Sequence, residues 1–466
     1  MSFSTRPGPG PLYKRFQFYY VERMRLPVWI MALGLPLAGC ASLPPTPPPP
    51  AYDPAADIEQ FLATEDPAQE SLLIEKLKQE GVSSEQVRDY LKSRSRPTGA
   101  GAGTFFNLTL RSQGREYAYS LRAPESRPDQ TFPLVVILHG AGGSGQTTLP
   151  RWIERLPEHY VIACPSYPAG AWWARPAEDL VLDLIRHLQS HYPIDPNRVF
   201  LAGLSNGAVG AYMIGMFYPD YFAGIIPIAG TITERYMHFL VNLVHTPLYA
   251  IQGRHDPIFP IAYTERIRRI LADLKYPTVF RIHEQRTAAH GGHFLPDAEV
   301  APLVEWMDHQ RRVVDPAQIR LVREGNHLDA VQWVRLARGV QLAALQIPGP
   351  EGEPLKVRDG KIATLIAQRL SGNEFALQGK NLLEFELRLH EDLIDYAKPV
   401  LVTYEAIEEE NGRWITRSRR VVFEGRVKPD LEVVLRGFKQ RRDPELIYET
   451  LLPISVEEPT QIASRP

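Results

Sequence analysis

The sequence predicts an α/β protein: a mostly parallel sheet with flanking helices, followed by a C-terminal β-sandwich-like domain. Three observations carry this. From 132 to 310, short apolar runs alternate with amphipathic helical patterns, as strands buried on both faces alternate with their crossovers. Beyond Asp315-Pro316 the pattern changes to period two: Leu383, Phe385, Leu387 and Leu389 face one way, Glu384, Glu386 and Arg388 the other. A chain of 466 residues, 44% hydrophobic and 23% charged, has the material for about two to three domains with substantial cores.

Taken in order, residues 1–40 read as an N-terminal extension and a secretory signal. Arg23 and Arg25 precede an apolar run too short to cross a bilayer as a helix, and Met24 could be the true start. The run ends in Leu37-Ala38-Gly39-Cys40, which resembles the lipobox of bacterial lipoproteins. The resemblance implies cleavage before Cys40, a palmitate-type lipid on its sulfur, and tethering to the periplasmic or cell-surface side of a membrane. An ordinary signal peptide or an uncleaved anchor is the alternative. Residues 41–54 follow as a proline-rich linker that favours extended polyproline. Helical periodicity over 55–98 (Leu72, Leu73 and Leu77, with Ser83-Ser84 as a cap before Val87 and Leu91) marks a small helical segment.

A catalytic domain is expected over 104–314. Its strands are 105–110, 117–121, 132–140 and 161–165; Cys164, in the last of these, is then a small core residue. With only Cys40 and Cys164 present, a disulfide framework is excluded, and a net charge of −2 leaves no footprint for nucleic acid. Val199 to Ala202 forms an apolar strand that runs into Gly203-Leu204-Ser205-Asn206-Gly207. A helical pattern at Val209, Tyr212, Met213 and Met216 follows. G-x-S-x-G between strand and helix marks a nucleophile elbow, because the sharp turn leaves no room for flanking β-carbons.

A serine hydroxyl needs a base at neutral pH, and the base needs an orienting carboxylate. In an open parallel sheet these groups belong in loops beyond the strand ends. Strand 247–253 is followed by Asp256, and strand 278–282 by His290 and His293. His293, after a Gly-Gly pair, is the favoured base, with His290 as the alternative. Asp256 could instead cap a helix, with Pro257 at its first position. The oxyanion donors are expected from the backbone of Asn206 and of Ala141, in the glycine-rich turn after His139. No histidine or cysteine cluster has metal spacing, and no cofactor is expected.

Residues 132–310 resemble the α/β-hydrolase superfamily, within it the secreted esterases related to feruloyl esterases and polyhydroxybutyrate depolymerases. The matching pieces are His139-Gly-Ala-Gly-Gly143, Tyr192-Pro-Ile-Asp-Pro-Asn-Arg-Val199 leading into the elbow, Pro219-Asp-Tyr-Phe-Ala223, Gly253-Arg-His-Asp256 and Gly292-His293. The resemblance implies hydrolysis of small or polymeric carboxylic esters through an acyl-enzyme, with Ser205, Asp256 and His293 as the triad. Phe294-Leu295-Pro296 departs from the group's usual tryptophan-containing segment and leaves the acyl pocket undefined. Trp172 and Trp173 either wall the substrate site or pack on the next helix. A peptidase of the same fold and a catalytically inactive surface-binding lipoprotein are the competing readings. The β-rich domain over 317–457 carries no catalytic constellation; it is expected to bind a polymer, to cover the active-site face, or to stabilise the enzyme.

Overall fold

The computed structural model describes residues 52–94, 101–127, 130–325, 330–343, 360–411 and 413–457. Cys40, the signal segment and most of the proline-rich linker lie outside them. Among the described residues, no helix is long and apolar enough to cross a membrane.

Three helices open the chain: α1 (Ala55–Ala63), α2 (Pro67–Gln79) and α3 (Ser84–Ser93). Ser83 begins α3 with a reciprocal capping box to Gln86. The main sheet then comprises β1 (Gly103–Ser112), β2 (Arg115–Ala123), β3 (Phe132–Leu138), β4 (Val161–Pro165), β5 (Ile194–Leu204), β6 (Gly224–Ile228), β7 (Leu248–Gly253) and β8 (Thr278–His283). Their spatial order is 1-2-4-3-5-6-7-8. β2 runs antiparallel to β1 and β4, and the remaining pairs are parallel. The connecting helices are α4 (Gly145–Ile153), α5 (Arg175–His191), α6 (Asn206–Phe217) and α7 (Ile261–Asp273), and α8 (Val300–His309) follows β8.

β3 shows why its sequence is apolar throughout. Leu134, Val136 and Leu138 enter the core shared with α5, α6 and α7, while Val135 and Ile137 enter the core shared with α4 and α8. Both faces are covered, so no position calls for a polar residue. Cys164 is fully buried in the second of these cores, and burial pushes its thiol well above the ordinary range.

The C-terminal region has β9 (Gln318–Arg323), β10 (Ala330–Val331), β11 (Val334–Gly339), β12 (Ala363–Arg369), β13 (Glu374–Lys380), β14 (Leu382–Leu389), β15 (Val400–Glu410), β16 (Arg413–Gly425) and β17 (Thr450–Ser455). They form a four-stranded sheet, 10-11-14-17, and a five-stranded sheet, 16-15-13-12-9, around a shared core that includes Trp333, Phe375 and Phe385. The alternation read at 383–389 is β14, whose Phe385, Leu387 and Leu389 are buried.

One element departs from the all-β expectation: helix α9 (Leu431–Arg441). Its Leu431, Val434, Leu435 and Phe438 close a separate core with Ile58, Phe61, Leu77, Val87 and Leu91. The opening helices are therefore one side of a small bundle whose other side comes from the far end of the chain. Their apolar stripes are too short for a core alone, and α9 supplies the missing face.

The C-terminal strands dock on the end of the main sheet remote from Ser205. α6 starts beside Ser205 and runs back for 12 residues, about 18 Å at helical rise. Contacts with the C-terminal region begin at its far end: Arg323 donates to Phe217 O (3.1 Å). Asn242 donates to Met216 O (2.9 Å) and, facing β9, exchanges two hydrogen bonds with the backbone of Val322 (2.7 and 3.1 Å). Below lies a buried charge cluster in which Arg312 pairs with Asp443 (2.6 Å) and Arg441 with Asp220 (2.9 Å). Among the described residues, this region thus does not cover the active-site face.

Candidate active site

β5 ends at Leu204, and Ser205 follows with φ 60°, ψ −121°, a strained conformation for a residue with a side chain. The neighbouring glycines are sterically required. A β-carbon at Gly203 would lie 2.0 Å from Gly207 O, and one at Gly207 would lie 2.1 Å from Leu138 O. Ser205 N donates to Ile228 O at 3.0 Å, fixing the elbow against the end of β6. Asn206 is the first residue of α6, so its N–H has no acceptor within the helix.

β3 delivers the second element. After Leu138 the chain turns through Gly140 to Gly143, closed by Gly143 N to Gly140 O at 3.1 Å. Gly140 passes Ser205 so closely that a β-carbon there would sit 3.2 Å from Ser205 Cβ. Two side chains hold this loop. Buried His139 accepts at Nε2 from Tyr167 N (3.1 Å), so Nδ1 carries the hydrogen and donates to Gly140 O (2.7 Å). Burial holds its pKa below the ordinary histidine value, which keeps the ring neutral. Trp172 donates from Nε1 to His139 O at 2.8 Å. Among the described residues, neither Ala141 N–H nor Asn206 N–H has a protein acceptor. Both are free to donate to a ligand.

The loops after β7 and β8 bring Asp256 and His293 together. The Asp256 side chain is fully buried and that of His293 is 11% exposed, with Nδ1 2.9 Å from Asp256 Oδ2. Gln252 Nε2 donates to the same oxygen (3.0 Å), and the backbone N–H groups of Ile258 and Phe259 donate to Oδ1 (2.8 and 3.0 Å). With an acceptor at Nδ1, the ring carries its hydrogen there and leaves Nε2 as a lone-pair base. The backbone is as tight as at the elbow: a β-carbon at Gly253 would meet Gly292 O at 2.2 Å. Phe259 stacks on the His293 ring at 5.9 Å.

Each anticipated residue can now be placed. Asp256 does not cap α7, whose N-cap is Pro260; one of its oxygens closes a local turn while the other holds a histidine. That histidine is His293. His290 is exposed, with its backbone N–H on Thr287 Oγ1. Ser205 Oγ and His293 make no hydrogen bond among the described contacts; in ligand-free sites this link is often long and tightens only around substrate. Trp172 is fully buried and braces the Gly140 loop rather than walling a pocket, while Trp173 is partly buried against the same core. Gln252 was not anticipated. The signal was available: it is the one polar side chain in the strand Leu-Tyr-Ala-Ile-Gln-Gly.

A serine on a strained turn after β5, an acid after β7 and a histidine after β8, on a sheet ordered 1-2-4-3-5-6-7-8 with β2 antiparallel, identify the architecture. The fold is that of the α/β-hydrolases. The sequence relatives of this α/β-hydrolase are named as an esterase and as depolymerases. The provisionally named esterase NocK of Nocardia uniformis subsp. tsuyamanensis is 25% identical over 254 residues, covering 49% of this chain and 63% of NocK. Poly(3-hydroxyalkanoate) depolymerase C of Paucimonas lemoignei is 40% identical over 50 residues, 11% of this chain and 12% of that protein. Poly(3-hydroxybutyrate) depolymerase of Ralstonia pickettii is 41% identical over 68 residues, 14% and 13% of the two chains. The chain thus spans less than two thirds of each of these relatives. No family model matches it.

Proposed function

We propose that this α/β-hydrolase is a serine esterase held at the extracytoplasmic face of a bacterial membrane through lipidated Cys40. In this reading His293 Nε2 takes the Ser205 hydroxyl proton as Oγ attacks the ester carbonyl. Asp256 stabilises the imidazolium, and the N–H groups of Ala141 and Asn206 receive the oxyanion. His293 then gives its proton to the departing alcohol, leaving an acyl-serine. Water, deprotonated by the same ring, releases the acid. The observation that supports this most is the buried Asp256–His293 contact at 2.9 Å, in loops at the same carboxyl edge of the parallel strands as a serine at φ 60°.

The test is Ser205→Ala. Turnover of p-nitrophenyl esters should fall by about 10⁴-fold or more, fluorophosphonate labelling should vanish, and the melting temperature should stay nearly the same. Retained turnover would overturn the assignment. Anchoring is read separately: palmitate incorporated in the bacterial host should mark the wild type and not Cys40→Ala, and equal labelling of both removes the lipoprotein reading.

A further inference from the structure

β7 is buried along its whole length, and its side chains alternate between two apolar cores. Leu248 and Ala250 enter one, Tyr249 and Ile251 the other. Gln252 continues the first row at 1% exposure, a position where an apolar side chain would leave no polar group to satisfy. Its carboxamide is only half satisfied. Nε2 donates twice, to Asp256 Oδ2 (3.0 Å) and to Phe259 O (3.2 Å), while Oε1 is buried with no hydrogen-bond partner among the described residues.

The orientation of the amide follows from its partners. A carboxylate and a carbonyl only accept, so turning the amide over would set oxygen against oxygen twice. The orphan Oε1 is therefore the consequence of placing two N–H groups against this loop. For the fold alone that is a poor arrangement, because a buried acceptor left unpaired destabilises more than an apolar side chain of the same shape.

The two donated hydrogens reach His293 by different routes. One ends on the same carboxylate oxygen that meets His293 Nδ1 at 2.9 Å. The other fixes the carbonyl of Phe259, whose own N–H donates to Asp256 Oδ1 (3.0 Å) and whose ring stacks on the imidazole at 5.9 Å. The edge and the face of the ring are both tied to one amide.

We propose that Gln252 is a positioning residue for the Ser205 reaction, acting through Asp256 and Phe259 to fix the plane of His293; this rests on the esterase reading above. Gln252→Met tests it, since the length of the side chain is kept while both donors and the orphan oxygen go. With one donor fewer, Oδ2 accepts more strongly from the protonated ring, so the acid limb of kcat/KM against pH should move up by about one pH unit. On the plateau above that limb, kcat for p-nitrophenyl acetate should fall by about tenfold with KM within about twofold, because the ring is held less firmly. The melting temperature should stay nearly the same. Should Gln252→Met fail to fold, Gln252→Glu carries the same test: a second carboxylate beside Asp256 should move the limb further in the same direction. A folded variant with the wild-type profile and kcat overturns the proposal, and so does a lowered melting temperature with the profile unmoved. Ser205→Ala separates the two claims. If it abolishes turnover while Gln252→Met changes nothing, the esterase reading stands and this one falls; if turnover survives it, both fall.

Discussion

The two ends of the main sheet use buried polarity for opposite purposes. At the Ser205 end four donors converge on one carboxylate, and the result is the orientation of a single imidazole that stays partly exposed. At the far end Arg312, Asp443, Arg441 and Asp220 are all nearly inaccessible and pair with one another, Arg312 with Asp443 across 131 residues of sequence and Arg441 with Asp220 across 221. The first arrangement leaves a reactive lone pair unused; the second leaves almost no group free to react. Perturbing the first should cost rate, and perturbing the second should cost stability.

The largest effect expected from that contrast is at the Ser205 end. Asp256→Asn keeps the size of the side chain but no longer selects the Nδ1–H tautomer. Ester turnover should fall by about 10³–10⁴-fold, with urea unfolding little changed. A loss below tenfold would mean that His293 is not the base. At the opposite end, Asp443→Ala strands Arg312 and should cost about 3–5 kcal/mol of unfolding free energy, while the rate per folded molecule at 25 °C stays within about twofold.

The same pair predicts a pH signature. Burial raises the Asp443 carboxyl, but Arg312 and Arg441 outweigh it and hold it below the usual range. Its folded pKa lies below the unfolded value of about 3.9, so its stabilisation is complete above about pH 4 and is lost as the pH falls through the folded pKa. Wild-type and variant stabilities should therefore converge only in strong acid; convergence at neutral pH would show that the pair contributes little. The smallest effect sharpens the comparison further. Asn206→Ala removes a side chain that reaches Ala169 O at 3.3 Å but retains the backbone N–H assigned to the oxyanion. Turnover should change less than about threefold, whereas a loss of 10²-fold would show that the side chain is the donor.

This division also explains what was readable in the sequence. The central strands of the main sheet announce themselves because their stretches covered on both faces are apolar almost throughout, as β3 shows. The elbow is readable because its glycines answer to contacts of about 2 Å within a few residues or with one adjacent strand end. Asp256 and His293 are readable as loop residues beyond strand ends, although choosing His293 over His290 needed the fold to show which ring reaches the carboxylate. Helix α9 was hidden for a different reason. Its apolar stripe of Leu431, Val434, Leu435 and Phe438 is ordinary, but the face that completes it lies some 350 residues earlier in the chain. The far-end charge cluster was equally silent, since isolated arginines and aspartates look like surface residues until the fold pairs them.

The clasp between α9 and the opening helices has a mechanical consequence. Arg88 ties α3 to Glu449 and Glu391, and Lys439 reaches back to Glu70 and to the Phe61 carbonyl. A pull arriving through Tyr52 is therefore taken up by the bundle and passed into the β-rich region. The elbow at 203–207 takes part in none of these contacts.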